Sequence, residues 1–273
     1  MDLHTYFAPN YPFVNGAGLG LAPAGDTGAQ QARLNATRAF WDPTYTDPSD
    51  NYPQPNYITD PNHTTSCSPP QQAPQLIPMM KTWVTKDYPG TKTAIDEYNF
   101  GGMEAINGAL TEADILGIFG RQGLDLGTMW PTTDPSEQIP GMMAFAIYRN
   151  YDGNKSTFGD TVLPSASTNS SNADAEGQLA VYGAIHTTGA ATGTVTVVVI
   201  NKTYGALTST LSLTGLSASA TTAQAYLYGN ANLNAIAAQP AVTVTPPAGG
   251  SSTGTIANYT FPAQSITLFV IPQ

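Results

Sequence analysis

The sequence predicts a mixed fold, with a parallel α/β region in residues 1–155 followed by an antiparallel β-sandwich in residues 156–273. In the first region, segments with apolar residues at helical spacing alternate with short apolar runs. In the second region, many short runs of alternating Val, Thr, Ser and Tyr are separated by Gly, Pro and Asn. This change of period predicts two domains with a boundary near residue 155.

The first region contains three helical segments besides the one described below. A strand over residues 1–7 leads to a helix near residues 28–41, and further helices are predicted over residues 75–87 and near residues 140–151. Residues 42–74 connect the first two helices and are rich in Pro, Asp, Asn and Tyr. Connections of this length are uncommon inside a domain and are usually functional or disordered.

The most informative segment of the chain has the pattern of a strand, a helix and a second strand. The first strand covers residues 93–98 and the second covers residues 124–130. Between them, Thr111 and Asp114 have the spacing of a helix N-cap, and Gly123 is placed to end the helix. The segment therefore predicts one βαβ unit with two parallel strands.

Two side chains stand near the carboxyl ends of these strands, namely Glu97 on the first and Trp130 on the second. In parallel α/β folds, catalytic and substrate-binding groups gather at this edge of the sheet. Strand alternation predicts that Asp96 faces away from Glu97, toward the helix layer. Glu104, on the following loop, is the other glutamate close in sequence. We therefore expect Glu97 and Trp130 to belong to one site.

The second region is predicted to consist of short antiparallel strands. Their spacing and alternation are typical of a β-sandwich. The predicted strands cover residues 179–185, 194–201, 207–214, 223–228, 241–245 and 265–271.

The composition excludes several classes of partner. Charged residues make up 10% of the chain, the net charge is −10 and the pI is about 4.4, so the surface does not attract nucleic acid or anionic lipid. The single cysteine, Cys67, excludes an intramolecular disulfide. No apolar run is long enough to span a bilayer, and no signal peptide precedes the first strand.

The acidic residues of the long connection are one candidate for a calcium site. Asp42, Asp47, Asp50 and Asp60 do not follow the spacing of a twelve-residue calcium loop, and turns of the Asx-Pro type explain them as well. We therefore predict no metal site and no cofactor.

Six sequence blocks of the chain resemble glycoside hydrolase family 44, a family of endo-β-1,4-glucanases and related plant-polysaccharide hydrolases. The resemblance covers nearly the whole chain with the spacing between blocks kept, and it corresponds to the carboxyl-terminal half of the family's proteins. The blocks are HTYF, RLNATRAFWDPTYTD, DEYNFGG, ADILGIFGRQGLDLGTMWP, YRNYDGNKSTFGDT and NYTFPAQSITLFVIP.

This resemblance implies a partial (β/α)8 TIM barrel, with strands six to eight and their helices, followed by the β-sandwich. It implies that Glu97 is the catalytic nucleophile on strand seven and that Trp130, at the end of strand eight, binds the sugar. His4 and Tyr6 on strand six would point toward the carboxylate, and Tyr98 is assigned to substrate binding with them. The family's acid/base lies in an Asn-Glu pair on strand four, and no Asn-Glu dipeptide occurs in this chain.

The resemblance further implies a retaining glycoside hydrolase of the endo-β-1,4-glucanase type, acting on cellulose-like or hemicellulose polysaccharides. The alternative is a non-catalytic carbohydrate-binding or scaffolding chain. A polysaccharide or oligosaccharide is the expected partner, and the open edge of an incomplete barrel predicts association of copies of the chain. A secreted, longer parent protein is expected, because such polysaccharides lie outside the cell.

Overall fold

The structure is a computed structural model that describes residues 1–6, 24–45, 75–130, 139–168, 175–217, 219–249 and 251–273. The elements in chain order are β1 (Asp2–Tyr6), α1 (Thr27–Ala36), α2 (Leu76–Asp87), β2 (Ala94–Asn99), α3 (Ile106–Gln122), β3 (Leu126–Met129), α4 (Ile139–Arg149), β4 (Thr161–Leu163), α5 (Ala175–Gln178), β5 (Leu179–Ile185), β6 (Val195–Asn201), β7 (Leu207–Thr214), β8 (Thr222–Gly229), β9 (Asn232–Ala238), β10 (Val242–Thr243), β11 (Thr253–Phe261) and β12 (Ser265–Ile271). A 3-10 turn (Thr37–Phe40) continues α1.

The predicted α/β region contains a three-stranded parallel sheet in the order β1-β2-β3. The helices predicted near residues 28–41, 75–87 and 140–151 are observed as α1 with its 3-10 turn, α2 and α4. The described part of the chain forms no closed barrel. Because β2 lies between two parallel neighbours, residues at its carboxyl end are flanked by both of them.

Helix α3 begins earlier than its sequence predicts. It starts at Ile106 with Ala105 as its N-cap, so the N-cap assigned to Thr111 and Asp114 is wrong. Both side chains are buried inside the helix, where the Thr111 hydroxyl donates to the carbonyl of Asn107 and Asp114 binds partners on other elements. The tertiary partners satisfy these polar groups, so they do not need to cap a helix end.

The second region consists of antiparallel strands, as predicted. One sheet has the order β10-β8-β12-β6-β5-β4, with β9 also paired to β8, and a separate ribbon pairs β11 with β7. An apolar layer between the sheet and the ribbon includes Val197, Phe269, Ile256 and Phe261. The strands β4, β9 and β11 were not among those predicted from the sequence.

Helix α3 packs against the large antiparallel sheet as well as against the parallel one. Ile115 and Ile118 of α3 share an apolar cluster with Val198, Ile200 and Leu268 of that sheet. The two regions therefore share one apolar core, and the division near residue 155 stays a prediction. Among the described helices, none combines the length and the apolar character needed to cross a membrane.

Candidate active site

Glu97 and His4 meet near the carboxyl ends of β2 and β1. The Nδ1 atom of His4 lies 2.9 Å from Oε2 of Glu97, and its Nε2 atom lies 3.3 Å from Oδ1 of Asp96. The Glu97 side chain is partly buried, whereas that of His4 is more than half exposed. One imidazole thus contacts two carboxylates at an edge of the sheet that solvent can reach.

A β-bulge in β2 produces this arrangement. In the pairing with β1, Leu3 faces Ile95 but His4 faces Glu97, so Asp96 is an extra residue in β2. A bulge interrupts the regular alternation of side chains. The prediction that Asp96 faces the helix layer is therefore wrong, because that prediction assumed an unbroken strand.

Trp130 follows β3 directly and is tied to the end of β2. Its backbone N–H donates to the carbonyl of Tyr98 at 2.8 Å, and its own carbonyl accepts a hydrogen bond of 2.8 Å from the side-chain amide of Asn99. The side chain is 56% exposed. The backbone of Trp130 is thus held beside the end of β2 while the indole stays available to a ligand.

Tyr98 lies away from this group, contrary to its assignment to substrate binding. It is 1% exposed, its hydroxyl donates to Oε1 of Glu112 at 2.6 Å, and its ring packs edge-on against Phe119 at 5.2 Å between centroids. Both partners belong to α3. Tyr98 thus faces the helix layer, on the side of β2 opposite Glu97, as regular alternation places it, and a sugar at the exposed edge does not reach it.

Tyr6 is the last residue of β1 and pairs with Asn99 of β2. Its backbone therefore lies at the expected edge, and its side chain lies outside what the structure describes.

Asn99 is a site-forming residue that the sequence analysis missed. Its buried side chain donates to the carbonyl of Trp130 and accepts from the backbone N–H of Gly101 at 2.7 Å. Gly101 and Gly102 adopt positive φ angles of 77° and 66°, which glycine tolerates best. An asparagine directly before such a turn was the available signal, because its side chain readily bonds to backbone two residues on.

The loop that follows β2 is held by hydrogen bonds from Arg33, which is almost fully buried. Its guanidinium donates to the carbonyls of Phe100 and Ala24 and to the side chain of Asn107. Burial lowers the pKa of Arg33 to about 10, and the charge of Glu104 acts in the opposite direction. Glu104 itself is exposed on this loop. Glu104 therefore acts on this loop through its charge interaction with Arg33.

Within the described ranges, no cluster of three or more His, Cys, Asp or Glu side chains could hold a metal ion. Asp42 is engaged by Arg38 at 2.7 Å and by the backbone and hydroxyl of Thr44. Asp47, Asp50 and Asp60, like Cys67, lie outside the described residues.

Several known proteins are similar to this chain. A comparison with models of protein families finds no match. Endoglucanase A of Paenibacillus lautus is 35% identical over 174 residues, which are 63% of this chain and 22% of that protein.

Several solved structures are similar over nearly the entire chain. CelM2, a bifunctional glucanase-xylanase from a metagenome library, is 34% identical with a TM-score of 0.72, over 99% of this chain and 43% of that one. A Paenibacillus polymyxa xyloglucanase from glycoside hydrolase family 44, solved with xyloglucan, is 25% identical with a TM-score of 0.75, over 100% of this chain and 46% of that one. The chain thus spans under half the length of the structures that it matches. It is similar along its whole length to a portion of glycoside hydrolase family 44 enzymes, which confirms the resemblance found in its sequence.

Proposed function

We propose that this chain carries the nucleophile and part of the sugar-binding surface of a retaining glycoside hydrolase. The proposed substrates are β-1,4-linked glucans or hemicelluloses. The carrying observation is the carboxylate of Glu97, which lies near the carboxyl end of the central parallel strand and 2.9 Å from His4. The names of the similar proteins, an endoglucanase, a glucanase-xylanase and a xyloglucanase, support this substrate class.

In this proposal, the ionised carboxylate of Glu97 attacks the anomeric carbon and forms a glycosyl ester as the bond to the leaving oxygen breaks. His4 contacts Glu97 and holds its orientation, and the exposed indole of Trp130 covers the CH-rich face of a sugar. Water then cleaves the ester. The parallel strands β1 to β3 would be strands six to eight of a (β/α)8 barrel.

A second carboxyl group, about 5 Å from the nucleophilic carboxylate, must protonate the leaving oxygen. The Asn-Glu pair that supplies it in the resembling family has no counterpart in this sequence. We therefore expect very slow hydrolysis of unactivated polysaccharide by this chain alone, because the leaving sugar would depart unprotonated. A leaving group that needs no proton bypasses this step.

The test is covalent labelling with a dinitrophenyl 2-deoxy-2-fluoro-β-cellobioside, followed by intact-mass and peptide mass spectrometry. We expect one glycosyl group on Glu97, none on Glu97→Gln, and wild-type labelling of Glu104→Gln, which removes an exposed glutamate of the neighbouring loop. Labelling of another carboxylate, or no labelling of the wild-type chain, would contradict the nucleophile assignment. Rapid cleavage of carboxymethyl-cellulose would contradict the expectation that this chain lacks the proton donor for the leaving oxygen.

The second candidate function is carbohydrate binding without cleavage, and the exposure of Trp130 favours it. An indole that is 56% exposed can stack on a sugar whether or not Glu97 reacts. This candidate predicts that affinity for soluble β-glucan survives Glu97→Gln, is lost in Trp130→Ala, and is accompanied by no release of reducing sugar.

We also propose that copies of the chain associate through the free edge of β3. Within the described residues, β3 pairs with β2 on one side only, and Leu126 at its start and Trp130 just after its end are each 56% exposed. An exposed strand edge with apolar side chains is a ready site for pairing with another chain. We also propose that the protein is secreted and that its two domains meet near residue 155.

A further inference from the structure

The bulge in β2 is shared by both of its pairings. Toward β1, the two-residue advance from Ile95 to Glu97 in β2 faces the one-residue advance from Leu3 to His4. Toward β3, the three-residue advance from Ile95 to Tyr98 faces the two-residue advance from Gly127 to Met129. The extra residue lies between Ile95 and Tyr98 in each case. A bulge of this kind re-aims side chains and is enriched beside active sites.

The consequence appears in which side chains are buried. Ile95 and Tyr98, three residues apart, belong to the same apolar cluster as α3, although regular alternation would put them on opposite faces. The two residues between them, Asp96 and Glu97, both contact His4. The direction of Glu97 is therefore coupled to the burial of its neighbour Tyr98.

Tyr98 is hydrogen-bonded in the helix layer to Glu112, a carboxyl group whose burial is unfavourable. Glu112 is 2% exposed within α3 and accepts the hydrogen bond of 2.6 Å from the Tyr98 hydroxyl. Burial raises the pKa of Glu112 to about 7, against the opposing effect of that hydrogen bond. A buried carboxyl group is expensive unless it is bonded. The hydrogen bond between Tyr98 and Glu112 therefore fixes both side chains in this layer.

We propose that Tyr98 and Glu112 are positioning residues for Glu97. Their hydrogen bond holds the bulge in β2, and the bulge aims the Glu97 carboxylate at His4. This inference rests on the proposed function in that it takes Glu97 as the reactive carboxylate, but its test does not require catalysis.

The test uses the ring signals of histidine in the 15N-labelled full chain, which contains three histidines. The His4 signals are assigned by their loss in His4→Gln, and Glu97→Gln defines where they move when the contact is removed. We expect Tyr98→Phe and Glu112→Leu to move the His4 signals toward that position. Glu112→Gln, which keeps an acceptor for Tyr98, should leave them near wild type.

Tyr228→Phe is the matched control, because it removes another buried tyrosine hydroxyl, bonded to the carbonyl of Leu233 in the antiparallel sheet. It should leave the His4 signals in place. Unchanged amide signals of β6 show that each variant is folded, and Tyr98→Phe keeps the ring packed against Phe119. His4 signals that stay put in Tyr98→Phe and Glu112→Leu would overturn the proposal, as would His4 signals that do not respond to Glu97→Gln. A chain that shows the expected shifts but is never labelled at Glu97 keeps the positioning role and loses the proposed function.

Discussion

The ammonium group of Lys202 donates a hydrogen bond of 2.7 Å to the carboxylate of Asp114, and both side chains are almost fully buried. Lys202 follows β6 and Asp114 lies on α3, so this pair joins the helix to the antiparallel sheet. The same carboxylate accepts hydrogen bonds from the hydroxyls of Thr37 and Tyr182 at 2.6 and 2.7 Å. Because its hydrogen bonds are complete, this buried charge is tolerated between the two regions.

Lys202→Met should destabilise the fold by about 3 kcal/mol, because it leaves the buried charge of Asp114 with hydroxyl donors alone. The midpoint of urea unfolding measures this loss. Lys92→Met is the control, since it removes an ion pair of similar length, 2.9 Å to Asp125, from a lysine side chain that is 85% exposed. That variant should unfold at nearly the wild-type midpoint. Equal midpoints for the two variants would contradict the structural role of the Lys202–Asp114 pair.

Glu112→Gln should change how stability depends on pH. Burial raises the pKa of Glu112 in the fold from 4.5 to about 7, so the stabilising contribution of its protonated form is complete below the unfolded pKa and is lost as the pH rises through about 7. The difference corresponds to roughly 3 kcal/mol. Glutamine stays neutral, so the variant should gain stability relative to wild type on going from about pH 4 to about pH 8.

Urea unfolding of both proteins at the two pH values measures this difference. The groups around Glu112 are Tyr98 of β2, Tyr148 of α4 and Asp114 of α3, and none of them is altered in the variant. Glu104→Gln, at an exposed position, should keep the wild-type dependence. Parallel pH profiles of wild type and Glu112→Gln would contradict the burial of a titrating carboxyl group.

Two glycines of α3 should respond oppositely to alanine. A Cβ atom at Gly117 would overlap the ring of Tyr182, whereas one at Gly120 would meet Val162 at an ordinary 3.7 Å. Gly117→Ala should therefore cost about 1–3 kcal/mol through overpacking. Gly120→Ala should be neutral or gain up to about 1 kcal/mol in helix propensity. Thermal unfolding separates the two, and a stabilised Gly117→Ala would show that α3 does not approach β5 this closely.

Leu126→Lys should weaken the proposed association of copies, because it places a charge on the edge strand β3. Sedimentation at micromolar concentration measures the oligomeric state. Val162→Lys is the control, since Val162 is 46% exposed on β4 at the edge of the antiparallel sheet. It should leave the association unchanged. A monomeric wild-type chain, or dissociation by Val162→Lys alone, would contradict the assignment to β3.

Several elements were predictable because their pattern is local. Strands β5, β7 and β12 have the bounds expected from alternation, and α3 ends at Gly123, whose φ of 61° is left-handed. The parallel pairing of β2 with β3 also follows from the strand–helix–strand order. In each of these cases the residues that carry the signal are the residues that form the element.

The contact between Glu97 and His4 was expected from the family resemblance, but the position of Asp96 and the buried partner of Tyr98 were not. Period-two alternation assigns each side chain to a face from its neighbours in sequence, and a bulge changes that assignment through pairing with other strands. The buried acceptor for Tyr98 is Glu112, fourteen residues away on a helix. The residues next to Tyr98 in the sequence therefore do not predict this hydrogen bond.

The kinds of element, their order and the carboxylate at the end of a parallel strand were predictable from the amino-acid sequence, because periodicity and turn residues act over a few positions. The start of α3, the face of Asp96, the hydrogen-bond partner of Tyr98 and the buried pair of Asp114 and Lys202 became visible only in the folded chain. Those features depend on which distant groups satisfy a buried charge or hydroxyl, and the cost of leaving such a group unpaired overrides local preference.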